Sequence, residues 1–340
     1  MSVYYSESPL WHEIIGRVHA LLERVKISEE QFKAQNGDVL RLRKLNRILS
    51  IHASTAIEGN VLTLGQATDV INGIPVWGPP KDIKEVQNAW RAYNELDSYD
   101  PWNIDDLLKA HSYLTSDLIG ESGAFRTIDV AVVRGDGTVL HRGPAPTTVP
   151  HMVNELLIWG RGSLAHPLIK SSAVHFMLEH IHPFRDGNGR IGRLWQTLIL
   201  SKWNALFAWI PMETIVHFNQ SLYYQALLDS QIGELNCKPF IDCMLRMIED
   251  SMHKYIDIAA STSADTDVGI NVGINVGIKE EILKKLTDFP NMTANELGAQ
   301  LQCSQRTIER YILALKADGK LIRIGSNKSG YWKVVDKGLQ

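Results

Sequence analysis

A short stretch near the middle of the chain combines residue types that suit phosphate chemistry. Residues 182–193 read His-Pro-Phe-Arg-Asp-Gly-Asn-Gly-Arg-Ile-Gly-Arg. His182 offers an imidazole that can accept a proton near neutral pH, and Arg190 and Arg193 offer two forked donors on one helix face. Asp186 would repel a phosphate by itself, so it suits a Mg²⁺ ion held between a carboxylate and phosphate oxygens. The stretch therefore predicts a binding site for a di- or triphosphate.

Two predicted helices must position these groups. The run over 171–181 has helical character, and Pro183 ends it because a proline ring clashes with the preceding helical turn. A second helical run covers 190–203, so residues 187–189 form the loop that opens it and offers free backbone N–H groups to anionic oxygens. We predict that His182 lies at the exit of the first helix, just ahead of this loop.

The twelve residues resemble the signature of the Fic family, His-x-Phe-x-(Asp/Glu)-Gly-Asn-Gly-Arg-x-x-Arg, and agree with it at every specified position. The resemblance implies transfer of AMP from ATP to a Ser, Thr or Tyr hydroxyl of a protein. It implies that His182 is the general base, that Asp186 binds Mg²⁺ on the α- and β-phosphates, and that Phe184 anchors the loop in the core. The other nucleotide contacts that it implies come from Gly187, Asn188 and Gly189 at the α-phosphate, Arg190 on the triphosphate and Arg193 at the γ-phosphate.

Two other interpretations compete with this one. A histidine at a helix end and a Gly-Asn-Gly turn are each commonly structural, but together they leave the acid, the base and both arginines unexplained. His180, His182 and Asp186 also offer the H-x-H cluster of a metal hydrolase. Alternate residues share a face on a strand, whereas this run is predicted to be helical, so the two rings should point apart. The metal-hydrolase interpretation is therefore the weaker one.

A second motif lies upstream, in a predicted helix over 40–57. The residues from Ser54 to Gly59 are similar to the inhibitory motif (Ser/Thr)-x-x-x-Glu-(Gly/Asn) of Fic proteins. The similarity implies that Glu58 pairs with Arg193 and blocks the γ-phosphate. Ser54 and Glu58 share a helix face, although this spacing is also common at ordinary helix ends. The same glutamate could instead position a water molecule that removes AMP, and the sequence does not decide the direction.

A hairpin is predicted between the two motifs. Residues 125–133 are rich in β-forming types, and Gly135-Asp136-Gly137 is a turn ahead of a second short strand over 138–140. In Fic proteins such a hairpin flap aligns the target segment, which pairs with it as an extended strand. The alternative is a purely structural ribbon.

A tyrosine pair follows the signature. Residues 219–224 resemble the family's Asn-Arg-x-x-Tyr-Tyr segment near the adenine, with Gln220 in place of the usual arginine. Tyr223 and Tyr224 are therefore predicted to line the base pocket, although adjacent tyrosines on a helix often serve packing instead.

The chain changes character after residue 260. Residues 261–278 contain a small polar run and a repeated Val-Gly-Ile-Asn unit, and we interpret them as a linker. Beyond it, helical runs over 280–287, 294–301 and 304–317 precede strand-like runs over 321–324 and 331–335. This order resembles a winged helix-turn-helix. Thr293 and Ser304 are suitable N-caps for the second and third helices.

The terminal module is basic. Residues 279–340 contain 11 Lys and Arg against 7 Asp and Glu, a net of +4, which leaves −7 for the rest of a chain whose net charge is −3. Recognition helices of this type place their early side chains in the major groove. We therefore predict DNA contacts by Gln305, Arg306 and Arg310, with Lys328 on the wing near phosphate. Protein contact is an equal alternative for such a module.

Composition is that of a multidomain globular chain, since 340 residues exceed a single core and the hydrophobic content is 44%. The start lacks a charged-then-apolar signal pattern, and the most apolar helical run, 194–210, is broken by polar residues, so we expect neither secretion nor a membrane span. The three cysteines, Cys237, Cys243 and Cys303, form neither a disulfide framework nor a metal spacing, which suits a cytoplasmic location.

We therefore predict a mainly α-helical protein with the Fic helical fold, a β-hairpin flap and a C-terminal winged helix-turn-helix. The predicted divisions are an N-terminal helical region with the inhibitory helix (1–95), the catalytic core with supporting helices (96–260), the linker (261–278) and the winged helix (279–340). Expected ligands are ATP and Mg²⁺. The target protein is not readable from the sequence, self-modification is an option, and a homo-oligomer is compatible with the sequence. The alternative function is a DNA-binding regulator whose Fic core is idle or removes AMP.

Overall fold

The computed structural model describes residues 5–34, 39–133, 139–261, 279, 282–301, 305–317, 319–325 and 330–335, and these are mainly helical. The predicted linker over 262–278, the turn at Gly135-Asp136-Gly137, Ser304 and Lys328 lie outside the described residues. The elements are α1 Pro9–Ala34, α2 Val39–Ile57, α3 Leu64–Ile71, α4 Pro80–Asn94, α5 Ile104–Thr115, β1 Ala131–Val133, β2 Val139–Arg142, α6 Val149–Gly162, α7 Pro167–Ile181, α8 Asn188–Trp203, α9 Met212–Phe218, α10 Gln220–Asp229, α11 Lys238–Ser261, α12 at 282–288, α13 Ala294–Gln300, α14 Gln305–Ala317, β3 Leu321–Ile324 and β4 Tyr331–Val334.

Helices α1 to α11 share one hydrophobic core, which runs from Trp11 to Ile256. Helix α1 packs along α11, and α7 packs along α8. The predicted division at residue 95 therefore falls inside one continuous core, which includes α2. Among the described helices, none combines the length and the apolar character needed to cross a bilayer.

The paired helices α7 and α8 form the centre of this core. Pro167 occupies the first position of α7, where its missing N–H removes no helical hydrogen bond. The ring of His166 caps the helix, since its Nδ1 accepts the N–H of Leu168. Helix α7 ends at Ile181, two residues before Pro183, as the sequence predicts. Helix α8 begins at Asn188, two residues earlier than predicted, because Gly187 adopts a left-handed conformation (φ 83°) and starts the helix directly.

The predicted hairpin is present but short. Strands β1 and β2 pair antiparallel, with Ala131 opposite Arg142 and the register shifted after Val132. The predicted first strand is wrong for residues 125–130, which carry no strand assignment. The backbone N–H of Arg126 donates instead to the carbonyl of Pro183, 3.0 Å away, so this segment is attached to the exit of α7 rather than to the other strand.

The C-terminal residues form a second, separate core around Ile282, Leu297 and Ile308. Thr293 caps α13 in a reciprocal capping box with Glu296, as the sequence predicts for this position. Strands β3 and β4 pair antiparallel from Leu321–Val334 to Ile324–Tyr331. Helices followed by a hairpin are the predicted winged-helix order.

Candidate active site

His182 occupies a special backbone position at the end of α7. It is the C-cap of the helix with φ 50° and ψ 61°, a left-handed conformation that non-glycine residues rarely adopt. Its ring lines a cavity of about 200 Å³. The other lining residues are Glu58, His141, Glu179, Gly189, Arg193, Tyr223, Tyr224, Leu227, Leu228 and Gln231. His182 therefore meets one of the two signature arginines in a single enclosed space.

Arg193 is bound entirely by the end of α2. Its Nε donates to Ser54 Oγ over 3.2 Å, and its Nη2 donates to Ser54 O over 3.0 Å and to Glu58 Oε1 over 2.6 Å. The arginine side chain is 3% exposed, whereas Glu58 is partly exposed towards the cavity. Ser54 and Glu58 thus face the same guanidinium, in the arrangement that the inhibitory motif implies.

The Glu58 carboxylate also sets the electrostatics of Arg193. Burial by itself lowers the pKa of this guanidinium, but Glu58, together with Tyr223 and Glu179, outweighs burial and leaves the pKa raised. A buried guanidinium that lost its partner would be strongly destabilising. The Arg193 guanidinium therefore needs an anion beside it, and this anion can be the carboxylate of Glu58 or a different anionic group.

The loop between the helices is closed by its own side chains. Asn188 Oδ1 accepts the N–H of Phe184 over 2.9 Å, and Asn188 Nδ2 donates to the carbonyl of Phe184 over 2.8 Å. The ring of Phe184 is buried and stacks on His111 at 3.7 Å. The carboxamide of Asn188 thus shapes the loop, and its predicted contact with an α-phosphate stays a prediction.

Two glycines near the loop make close contacts. A side chain at Gly187 would have to tolerate φ 83° and would meet the methyl group of Thr115 at 2.9 Å. A side chain at Gly189 would collide with the carboxylate of Glu58. The first turn of α8 therefore lies directly against Glu58.

Asp186 and Arg190 form a second charged group beside the loop. Asp186 is 47% exposed, and its Oδ1 accepts the N–H of Gly187 at 2.6 Å and an Arg190 Nη2 donor at 3.2 Å. Arg190 is buried, and its Nη1 donates to Glu85 Oε1 over 3.3 Å. Asn60 Nδ2 donates to the other oxygen of Glu85 over 2.9 Å. Asn60, two positions after Glu58, is thus connected to Asp186 through Glu85 and Arg190.

The two tyrosines differ in environment. Tyr223 is 1% exposed, and its hydroxyl lies 3.0 Å from His175 Nε2 and 3.4 Å from Glu179 Oε1. Burial raises the pKa of Tyr223. Tyr224 is 44% exposed at the rim of the same cavity. The prediction for the base pocket is therefore better placed on Tyr224, because the hydroxyl of Tyr223 is already engaged in the core.

The sequence analysis did not single out several residues that shape this site. Glu179 lines the cavity, and the nearby charges of His175, His182 and Arg193 outweigh its burial, so that its pKa is lowered. His141, from the hairpin, lines the cavity as well. Glu179 lies just before the signature. A carboxylate in an otherwise apolar helical run could have been noticed in the sequence as a candidate site residue. The positions of His141 and Glu85 have no such local signal.

The competing metal-hydrolase set is not assembled. Among the residues that the structure describes, no three His, Cys, Asp or Glu side chains cluster as metal ligands would. His180 instead stacks on Phe176 and faces His141, with ring centroids 4.9 Å apart. Burial lowers the pKa of His180 to about 4.

Three of the four predicted DNA-contacting residues lie in the first half of α14. Gln305 is exposed, and its Nε2 donates to Glu309 Oε1 over 2.8 Å. Arg306 and Arg310 belong to α14, but their side chains, like Lys328, lie outside what the structure describes. Their contacts stay predictions.

Comparison with known proteins identifies two modules. Residues 101–200 match the model of the Fic/DOC family, and residues 279–332 match that of an HTH domain. The fold resembles the crystal structure of a Fic family protein from Desulfovibrio desulfuricans G20, with a TM-score of 0.70 and 31% identity over 99% of each chain. A structure of Fic-1 from Caenorhabditis elegans, 24% identical, matches 73% of this chain and 74% of its own with a TM-score of 0.55, which bears on the fold alone.

Two curated relatives are named as adenylyltransferases. Protein adenylyltransferase fic-1 of Caenorhabditis elegans is 29% identical over 72% of this chain and 48% of its own length. Protein adenylyltransferase Fic of Nematostella vectensis is 28% identical over 61% of this chain and 48% of its own length. This chain therefore spans about half the length of the curated relatives it matches.

Proposed function

The chain belongs to the Fic/DOC family, and from this premise we propose that it transfers AMP from ATP to a Ser, Thr or Tyr hydroxyl of a protein. The names of the curated relatives support an adenylyltransferase. The target is a second protein or the chain itself.

The observation that carries the proposal is that His182, Gly189 and Arg193 line one cavity of about 200 Å³. An imidazole can accept a proton, the first backbone N–H groups of a helix can bind an anionic oxygen, and a guanidinium can bind a terminal phosphate. His182 caps the end of α7, whereas Gly189 and Arg193 lie in the first two turns of α8. Their convergence supports phosphoryl chemistry better than a purely structural loop.

In the proposed reaction, His182 accepts the proton of the incoming hydroxyl as that oxygen attacks the α-phosphorus of ATP. The new O–P bond forms while the bond from the α-phosphorus to the bridging oxygen breaks, and pyrophosphate leaves with that oxygen. The backbone N–H groups at the start of α8 stabilise the charge on the α-phosphate. Arg190 steadies the triphosphate, and Arg193 binds the γ-phosphate once Glu58 has left it.

The residues present fit a Mg²⁺ ion at Asp186. This carboxylate is half-exposed beside the loop N–H groups, and Mg²⁺ in nucleotide sites is usually held by one or two carboxylates together with phosphate oxygens. The ion would neutralise charge on the α- and β-phosphates.

Glu58 makes the site self-inhibiting in this proposal. Its carboxylate binds the same guanidinium face that a γ-phosphate would need, with Nη2 and Oε1 2.6 Å apart. Both partners would use the same guanidinium donor, so they exclude each other. ATP that binds beside an intact Glu58–Arg193 pair would be poorly oriented for attack.

The test is transfer of label from α-labelled ATP to protein. We expect Glu58→Gly to raise transfer by about 5- to 150-fold over wild type, the usual range of such a coupling. Adding His182→Ala to Glu58→Gly should abolish the gain. Glu7→Gly, which removes an exposed carboxylate ahead of α1, serves as the matched control and should behave as wild type.

Two outcomes would contradict the proposal. If Glu58→Gly is no more active than wild type and His182→Ala has no effect, neither assignment holds. If wild type instead removes AMP from a pre-labelled protein and Glu58→Gly does not, the reaction runs in the reverse direction, with Glu58 positioning the water molecule.

We also propose that the terminal module binds DNA. The HTH match over 279–332 and the net charge of +4 for residues 279–340 support it. Because neutralised phosphates release counterions, binding of the full chain to duplex DNA should weaken by roughly one to two orders of magnitude between 50 and 200 mM salt. Absence of any gel shift at low salt would favour a protein partner for this module.

A further inference from the structure

The last turn of α7 is capped by side chains from the hairpin segment, which we define as residues 126–144. The final carbonyls of an α-helix have no partner within the helix. Here, His141 Nε2 donates to His180 O over 2.6 Å, Arg126 Nη2 donates to Ile181 O over 3.4 Å, and Arg126 Nε donates to His182 O over 2.7 Å. Three consecutive carbonyls, ending at His182, are thus satisfied by the hairpin segment.

Arg126 also connects the two ends of the hairpin segment. Its Nη1 donates to Ile128 O over 2.9 Å, ahead of β1, and its Nη2 donates to Pro144 O over 2.6 Å, after β2. A side chain at Gly143 would lie 2.7 Å from Nη2, so the chain passes close over the guanidinium. Arg126 is 2% exposed. One buried guanidinium therefore links both ends of the hairpin segment to the end of α7.

The backbone of His182 needs such support. A non-glycine residue in the left-handed region is disfavoured and persists only where its surroundings determine it. His182 Nδ1 is buried and accepts or donates no hydrogen bond within the described residues. A hydrogen bond from Nδ1 therefore does not account for the position of the ring. The neighbouring backbone bonds do, since Arg126 Nε holds His182 O and Arg126 N holds Pro183 O.

Charge favours the same arrangement. A helix C-terminus carries a partial negative charge, which a cation stabilises. The partners that the structure gives to Arg126 are main-chain carbonyls. A guanidinium can reach several carbonyls through its fixed fork of donors, whereas a lysine ammonium is a single point with three donors.

We propose that Arg126 is a positioning residue, which holds His182 and the hairpin segment as one unit. It would set the distance between the proton-accepting ring and the hydroxyl of a segment lying along the hairpin. This inference rests on the proposed AMP transfer only for the role of His182 as a base. The geometric part, that Arg126 determines the position of the His182 ring, stands without it.

The first test compares Arg126→Lys with Arg161→Lys in the Glu58→Gly background. Arg161 is an exposed arginine on α6 that pairs with Asp100, so it controls for the exchange itself. We expect Arg126→Lys to lower the rate of AMP transfer at saturating ATP by roughly 10- to 100-fold, because small misplacements of a reacting group cost about this much. The dissociation constant of an ATP analogue, measured by calorimetry, should change by less than about threefold, since the phosphate-binding groups lie on α8.

Chemical rescue separates a missing guanidinium from a damaged fold. Millimolar guanidinium chloride should raise the AMP-transfer rate of Arg126→Ala by at least about tenfold, and methylammonium should not raise it. A general structural role predicts a different result, in which rate, nucleotide affinity and folded fraction fall together and neither cation restores them. That result, or a full transfer rate in Arg126→Lys, would overturn the inference.

A second readout does not depend on activity. In protein with isotope-labelled histidines, Arg126→Lys should shift the ring signals of His182 and His141 and leave that of His217 in place. His141→Ala removes the bond to His180 O together with the ring contact to His180. It should shift the His182 signal as well, and it keeps the test valid if Arg126 variants do not fold. Unmoved His182 signals in every folded variant would refute the inference. If the Glu58→Gly parent is inactive while these shifts occur, the proposed function fails and the positioning role remains.

Discussion

At the scale of single residues, Arg193 decides the state of the site. It donates three hydrogen bonds to Ser54 in α2 and to Glu58 directly after it. Hydrogen bonds to charged groups are typically worth about 1.5–3 kcal/mol each. Glu58 supplies the charge, whereas Ser54 supplies a hydroxyl and a carbonyl. The two residues of the inhibitory motif therefore contribute unequally.

This inequality predicts the effect of Ser54→Ala. The change removes the 3.2 Å bond to Arg193 Nε but keeps the backbone bond and the Glu58 pair. We expect AMP transfer to rise by about three- to tenfold, less than in Glu58→Gly. Steady-state transfer from α-labelled ATP measures it. Ser50→Ala, at a buried serine one turn earlier on α2, is the control, and equal gains in both variants would mean that the helix, not the Arg193 contact, is responsible.

At the scale of elements, the turn after α2 is attached to α4. Asn60 Nδ2 donates to Asp82 O over 3.0 Å and to Glu85 Oε2 over 2.9 Å, and Val61 N donates to Asp82 Oδ2 over 2.9 Å. Glu85 in turn binds Arg190. The segment that carries Glu58 is therefore held at both signature arginines, directly at Arg193 and through α4 at Arg190.

Asn60→Ala should loosen this attachment. It leaves a buried carboxylate oxygen of Glu85 with one partner fewer, which typically costs about 1–3 kcal/mol. We expect a lower melting temperature together with a rise in AMP transfer, because Glu58 loses part of its support. Thermal unfolding and label transfer, measured on the same preparations, test this.

The control for this variant is Asn94→Ala, at an exposed residue of the last turn of α4. It should change stability by no more than about 0.5 kcal/mol. A destabilised Asn60→Ala protein without any gain in transfer would show that the turn stabilises the fold without restraining Glu58.

At the scale of the whole molecule, the helix that carries Glu58 belongs to the same core as the helices that carry His182 and Arg193. Two buried histidines face each other between α2 and α9. His52 Nε2 donates to Leu62 O over 3.1 Å, and the rings of His52 and His217 are 6.5 Å apart. Burial lowers the pKa of His52 to about 4, and burial together with Lys284 lowers that of His217 to about 3.

These pKa values predict acid sensitivity of the fold. A histidine with a lowered pKa stays neutral in the folded state while the unfolded chain binds a proton below about pH 6.5. The contribution of His52 to the free energy of unfolding is therefore complete above pH 6.5 and falls as the pH drops towards 4, by on the order of 3 kcal/mol in total. Urea unfolding at pH 7.5 and pH 5, followed by tryptophan fluorescence, measures the difference.

The matched variants are His52→Gln and His12→Gln. His52→Gln should reduce the loss of stability between the two pH values. His12→Gln, at an exposed residue of α1, should leave this loss unchanged. A pH dependence that is identical in both variants would rule out His52 as a cause.

What the sequence by itself determined about this protein is local in the chain. The end of α7 before Pro183, the face shared by Ser54 and Glu58 and the capping box of Thr293 all follow from spacings of a few residues. Such features depend on backbone geometry that neighbouring residues impose. The pairing of Glu58 with Arg193 was reachable only through the family signature, since 135 residues separate them.

Only the tertiary structure decided the contacts that link distant segments. Arg126 reaches His182 O across 56 residues, and Arg190 reaches Glu85 across 105. Arg126 also lies in a run whose composition predicted a strand, but the partners of its backbone N–H and side chain include the carbonyls at the end of α7. Helix packing determines which unpaired carbonyls and charges meet, and no local pattern of residue types encodes that meeting.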